Sequence, residues 1–220
     1  TDMFKDAKSF NHAWCNPSWD GKIQPKDFSG SDKGMMICCN SGKKHAIILP
    51  SGILGCVLCD AGTFTTTRYE STCENCPTGW HQKENGTQYC IPCVPGQTQS
   101  VEGQAECNAC TLGKSMSNAF ANGTECEVCD IGKYQNEEEK SECKECPTGK
   151  KGIKAYAIAV DDGCTNCPTG KYQDQSGQES CKNCLAGKFG DTDGQQTDTC
   201  KECPIGWKQE DFGKDTCIEC

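Results

Sequence analysis

The sequence predicts a small disulfide-rich fold: an elongated linear array of short irregular β loops stacked on a disulfide ladder, with little or no helix. Three observations predict it. Cysteine supplies 23 of the 220 residues. The phrase Cys-x-x-Cys occurs ten times, with pairs starting at Cys56, Cys73, Cys90, Cys107, Cys126, Cys143, Cys164, Cys181, Cys200 and Cys217, spaced 17 to 21 residues apart. All but the last are followed, three residues after the second cysteine, by glycine: Gly62, Gly79, Gly96, Gly113, Gly132, Gly149, Gly170, Gly187 and Gly206. A fixed period of this kind marks a repeat in which each unit contacts mainly its neighbours.

Composition excludes one large hydrophobic core. Cysteine makes up a large share of the 35% hydrophobic residues, while glycine numbers 24. The few remaining apolar side chains cannot offset backbone entropy of roughly 1–2 kcal/mol per residue. Cross-links must, and disulfides persist in oxidising compartments, so the chain is expected outside the cell, secreted or at a cell surface. The net charge of −9 disfavours nucleic acid and anionic membranes as partners. No apolar run reaches the length of a membrane span. A signal peptide, which export requires, is expected to have been removed or left out ahead of Thr1.

Residues 1–55 lie outside the repeat and read as an N-terminal cap, holding Cys15, Cys38 and Cys39 with Trp14 and Trp19 near the first. Ala46-Ile47-Ile48-Leu49, closed by Pro50-Ser51-Gly52, reads as a strand running into a turn. Two or three strands around the tryptophans would cover the end of a linear stack. Residues 56–220 form the tandem repeat. Its loops read Gly-Lys-(Tyr/Phe), as at Gly132-Lys133-Tyr134 and Gly170-Lys171-Tyr172, followed by a polar stretch. Glycine supplies the turn, and the aromatic is expected to lie on the adjacent disulfide as a miniature core. Alternate loops keep 13 residues between cysteines, whereas the others hold 13, 15, 17 and 15. The period is therefore a double loop beginning at 56, 90, 126, 164 and 200, one half fixed in length and the other open to insertion.

Two connectivities fit. In a ladder, Cys59 bonds Cys73, Cys76 bonds Cys90, Cys93 bonds Cys107, Cys110 bonds Cys126, Cys129 bonds Cys143, Cys146 bonds Cys164, Cys167 bonds Cys181, Cys184 bonds Cys200 and Cys203 bonds Cys217. In a nested scheme, Cys56 bonds Cys73 and Cys59 bonds Cys76 within each double loop. The ladder is preferred because every loop carries its glycine at the same offset, but spacing alone does not decide connectivity. Each closed loop is worth about 3 kcal/mol in the chain-entropy picture, as an upper value. In the cap, adjacent Cys38 and Cys39 are expected to bond Cys15 and Cys56, because a vicinal disulfide strains the backbone. Cys220 is then unpaired, a free thiol, a link between molecules, or one end of a further rung.

Cys-Pro-Thr-Gly-Lys-Tyr, with 13 residues from Cys167 to Cys181, resembles the cysteine-rich repeats of ephrin receptors and the first loop module of tumour-necrosis-factor receptors. The resemblance spans residues 56–220. Uninterrupted arrays of this kind also resemble protist surface proteins such as ciliate surface antigens and flagellar-hair proteins. These resemblances imply an elongated rod with disulfides as rungs. Nothing in the sequence matches a kinase, a death domain or a membrane anchor, and residues 1–55 match no known family.

Other chemistry is weaker. Paired Cys-x-x-Cys motifs also bind zinc, but an unbroken series with one shared glycine offset is structural. A redox pair would stand singly in a βαβ setting. His12, His45 and His81 are scattered and no nucleophile is tied to them by motif, so no enzyme, metal or cofactor is expected. Asp191-Thr192-Asp193-Gly194 echoes part of a calcium loop but lacks the rest, and reads as a polar turn. The sequons Asn85-Gly86-Thr87 and Asn122-Gly123-Thr124 predict N-linked glycans at Asn85 and Asn122. The longest loop carries the apolar run Ile153, Tyr156, Ile158 and Val160, read as strand-like. With Ile47, Ile48 and Leu49 it forms the candidate set of assembly contacts, cap to rod and head to tail. The function expected is a glycosylated extracellular structural rod in a surface coat, or the repeating subunit of a filament. Self-association or other extracellular proteins would be its partners. A ligand-binding receptor ectodomain is the alternative.

Overall fold

The computed structural model describes residues 39–48, 53–67, 72–117 and 124–220. Ten disulfides run along these residues, each joining the second cysteine of one pair to the first of the next, from Cys39–Cys56 and Cys59–Cys73 to Cys203–Cys217. The nested alternative does not occur among them. The reason lies in the two residues between the cysteines. Lys144–Glu145, flanked by Cys143 and Cys146, is a strand paired antiparallel with Lys133–Tyr134. Successive side chains of an extended segment alternate faces, so cysteines three apart point to opposite sides. Cys143 accordingly turns back to Cys129, and Cys146 forward to Cys164.

Every sheet among the described residues has two strands. The longest is β1 (Lys43–Ile48) with β2 (Ile53–Leu58), in antiparallel register from Lys43 opposite Leu58 to Ile48 opposite Ile53. The expected strand therefore starts three residues before Ala46 and contains Ile47 and Ile48; Leu49 and the turn Pro50-Ser51-Gly52 lie outside the described residues. The boundary placed between residues 55 and 56 falls inside β2. The loop from Cys39 to Cys56 is built like those that follow, with Gly42 three residues after Cys39 at φ 82°. Its membership was hidden because Cys38 sits next to Cys39 instead of three residues before it. Trp14, Trp19, Cys15 and Cys38 lie outside the described residues.

The chain divides into two compact units, one of residues 1–92 with 101–106, the other of 93–100 with 107–220. Within the second unit the hydrogen bonds repeat from loop to loop. Lys133 N donates to Asp130 O across the turn (3.0 Å), with Gly132 at φ 87° in the place that favours glycine. Gly132 O accepts from Cys146 N (2.8 Å), tying the turn to the next rung. Gly177 N donates to Cys146 O (2.9 Å), and a Cβ added to Gly132 would stand 2.3 Å from Gly177 O. Gly149 and Gly170 are pressed in the same way against Gly194 O and Gly213 O of the loop after next, whereas Gly187 and Gly206 have open space there. In the first unit Gly62 has the same surroundings, with Cys76 N donating to its carbonyl (2.8 Å) and Gly103 O lying 2.0 Å from an added Cβ.

Side-chain burial follows the rungs. Cys59, Cys76, Cys110, Cys146, Cys167 and Cys184 are fully buried, while the aromatics Tyr134, Tyr172 and Phe189, expected to form a miniature core, are only half-buried. Among the described residues the large side chains covered besides these cysteines include two glutamines, Gln82 at 2% exposure and Gln135 at 1%. A loop this short encloses backbone groups that need hydrogen bonds, and an amide satisfies them where a ring cannot.

Candidate functional site

Glutamine six residues after the second cysteine closes the loop from within. Gln135 Nε2 donates to Glu142 O (2.6 Å), next to the closing Cys143, while its Oε1 accepts from Glu137 N (3.1 Å). Gln82, Gln173 and Gln209 make the same two bonds in their own loops. These glutamines were overlooked in the sequence, although their constant offset was there to be read. Also overlooked were Gly86, Gly103, Gly177, Gly194 and Gly213, ten residues after the second cysteine and all at positive φ.

Among the described residues, the tenth position carries a side chain at Glu139 (φ 60°) and Tyr156 (φ 57°). A left-handed residue with a Cβ costs roughly 1–2 kcal/mol, which the surrounding loop must offset. Tyr156 N donates to Cys129 O (2.7 Å), and Ala157, fully buried, bridges in parallel to Tyr134 while its carbonyl accepts from Gln135 N (2.9 Å). The ring lies on the surface with Lys114 Nζ 5.8 Å from its centroid, a cation–π contact.

Tyr156 belongs to the longest loop, Cys146–Cys164. Lys150–Gly152 pairs with Cys164–Asn166, and a single helical turn, α1 (Val160–Gly163), leads into Cys164. The apolar run is therefore not the strand expected: left-handed Tyr156 breaks the extended path, and only Ala157 makes a bridge. Ile153, Tyr156 and Ile158 are exposed at 51%, 45% and 43%, whereas Val160 is half-buried in α1. Ile158 lies over Gly113, its Cγ2 3.3 Å from where a Cβ would stand. Asp162 pins the insertion: it is paired with Lys154 and accepts from Ile158 N (3.1 Å). The lysine hydrogen bond, then that amide, hold the Asp162 carboxyl below the usual carboxylate range.

Lysine–carboxylate pairs recur along the second unit. Glu137 is held down to about 2 by hydrogen bonds from Lys144 first and Lys140 second. Asp174 and Asp191 are lowered likewise, first by Lys182 and Lys201, respectively. Asp191 and Asp193 of the calcium-like stretch are engaged in the fold, Asp191 with Lys201 and Asp193 by accepting from Thr169 N (3.0 Å).

Asn85 is exposed, and its Oδ1 accepts from Ala61 N (2.8 Å), the bond that Asp193 makes to Thr169. Asn122 lies outside the described residues, as does Leu49. Cys220 is exposed and free, and its amide donates to Gly206 O (3.0 Å), as Cys146 does to Gly132. No helix of the described residues is long and apolar enough to cross a membrane.

These features define a small disulfide-rich protein of repeated β loops. A family model described as tyrosine-protein kinase ephrin type A/B receptor-like matches residues 117–162 and 156–198. The chain is thus similar, over consecutive loops of its second unit, to a receptor-like cysteine-rich module, a likeness that suggests an extracellular binding or structural domain. No curated protein matches the chain.

Proposed function

We propose that the protein is a non-enzymatic extracellular structural protein, a glycosylated, disulfide-stapled rod that serves in a surface coat or as the repeating subunit of a filament. The observation that carries this reading is the recurrence of backbone bonds from loop to loop within each unit, typified by Gly132, Cys146 and Gly177. Such construction favours reach and durability over a concave pocket. The exposed side chains Ile153, Tyr156 and Ile158, together with Val160 of α1, would be contacts on one side of an assembly, and Ile47, Ile48 and Leu49 on the other. Glycans on Asn85 and Asn122 suit the same exterior. Negative-stain electron microscopy of the purified protein tests the reading: filaments or ordered sheets support it, and discrete monodisperse particles at high concentration overturn it.

A second reading, a binding module for another extracellular protein, is favoured by Tyr156. Its backbone is strained in a place where Gly177 and Gly194 stand in other loops, and its ring is exposed under Lys114. Tyr156→Gly is expected to leave the fold intact, as Gly177 and Gly194 do in their loops. If filaments form and persist in that variant, Tyr156 is not an assembly contact.

A further inference from the structure

Most rungs join a buried opening cysteine to a half-buried closing one. The opening residue is buried throughout the interior loops: Cys59, Cys76, Cys110, Cys146, Cys167 and Cys184 are at 0% exposure, Cys93 and Cys129 at 1%. The closing residue is half-buried at Cys73, Cys90, Cys107, Cys126, Cys143 and Cys181. Two closing cysteines differ, Cys164 at 3% and Cys200 at 8%. Both end longer loops, with sequence separations of 18 and 16 against 14 for the fixed loops such as Cys129–Cys143, but length alone does not bury the closing cysteine, since Cys126 also ends a separation of 16 and is half-buried. In the Cys146–Cys164 loop α1 runs directly into the closing cysteine, and Gly163 O lies 3.8 Å from Cys146 Sγ.

We infer that the half-buried closing cysteines are sites of modification by small-molecule thiols, and that the insertion in the Cys146–Cys164 loop closes off the corresponding site there. Thiol–disulfide exchange proceeds by attack of a thiolate on one sulfur, and access decides which. At Cys59–Cys73, a thiolate RS⁻ bonds to the Cys73 sulfur, the Cys59–Cys73 bond breaks, and the electron pair leaves on the Cys59 sulfur. The product is a mixed disulfide on Cys73 and a buried thiolate on Cys59. A second RS⁻ attacks the mixed disulfide at the sulfur of R, releasing RSSR and the Cys73 thiolate. The two added thiolates are oxidised and the rung gains two electrons. Burial disfavours the charged Cys59 sulfur, which remains beside its old partner, so reclosure competes with the second attack. The buried opening cysteines therefore make the ladder self-closing, while the half-buried closing ones set where it opens. The Cys184–Cys200 rung falls between the two classes.

The test is a time course of the intact protein in reduced glutathione at neutral pH, quenched in acid, with free thiols alkylated and every rung mapped by mass spectrometry. Expected are glutathione adducts on Cys73, Cys90, Cys107, Cys126, Cys143 and Cys181, with the alkylated thiol on their opening partners. The Cys146–Cys164 rung should open about tenfold more slowly than Cys129–Cys143, and opening rates of the short loops should rise in proportion to thiol concentration. Adducts shared equally between opening and closing cysteines would overturn the inference. So would a Cys146–Cys164 rung lost as fast as its neighbours, or rates independent of thiol concentration, which would place whole-unit unfolding before attack.

Discussion

Gln173 is nearly covered at 2% exposure, and no charged group shares its role. Its amide satisfies the carbonyl of Ser180 and the amide of Gln175, both inside the loop it closes. Replacement by leucine leaves two enclosed backbone groups without partners, at about 1–3 kcal/mol for each group that water cannot reach. Gln173→Leu is therefore expected to speed amide hydrogen exchange in residues 174–181 severalfold, whereas Gln175→Ala, an exposed position, should not. A second residue-scale expectation concerns Glu137. Its carboxyl is held down to about 2 chiefly by the Lys144 hydrogen bond. In Lys144→Met its titration midpoint, followed by carbon NMR, should rise towards the ordinary value, with Lys140 retaining part of the shift. The glutamine offset was legible in the sequence, at Gln82, Gln99, Gln135, Gln173 and Gln209, yet attention to glycine and aromatics passed over it. The aromatics were misjudged because a ring cannot bond the backbone groups that a loop of this length encloses.

The unit of construction is a turn, a pair of two-residue strands and a rung. A strand of two residues does not hold by itself, and the disulfide supplies what the sheet cannot. Removing one rung as Cys129→Ser with Cys143→Ser is expected to cost about 3 kcal/mol by the loop-closure argument, read as a lower midpoint in denaturant. The turn is equally intolerant. In Gly132→Ala the new Cβ would meet Gly177 O at 2.3 Å on a backbone at φ 87°, so expression of folded protein should fall sharply, and non-reducing electrophoresis should show scrambled disulfides. Loop lengths and turn glycines were legible because they recur. The path of residues 153–159 was not, because nothing local to Tyr156 announces a left-handed residue; the Cys129 carbonyl that its amide meets belongs to the preceding rung.

At the scale of the whole chain, stability rests on covalent bonds and backbone hydrogen bonds more than on apolar burial. The depressed carboxylates, Glu137, Asp162, Asp174 and Asp191, contribute stability that is present above their ordinary pKa values and lost as pH falls through the lowered ones. Glu137, Asp174 and Asp191 are exposed and Asp162 is half-buried beside an exposed lysine, so that contribution is small. Far-UV circular dichroism at pH 3 should match that at pH 7, while excess reductant at pH 8 should abolish it, since thiolate and not acid is what opens rungs. Digestion with an N-glycosidase should lower the mass of protein from its native source, with Asn85 converted to aspartate; an unchanged mass would remove the glycan from the reading.

The amino-acid sequence by itself determined the repeat and the turn positions, because each follows from contacts within some twenty residues, whereas it left two connectivities open. Only the tertiary structure decided that the ladder holds, which loops press on which, and which cysteines of the rungs are half-buried. Those depend on the loop after next, some forty residues away, where Gly132 meets Gly177 and Gly113 meets Tyr156. A contact at that range leaves no periodic trace in either segment alone, so it becomes visible only when the loops are stacked.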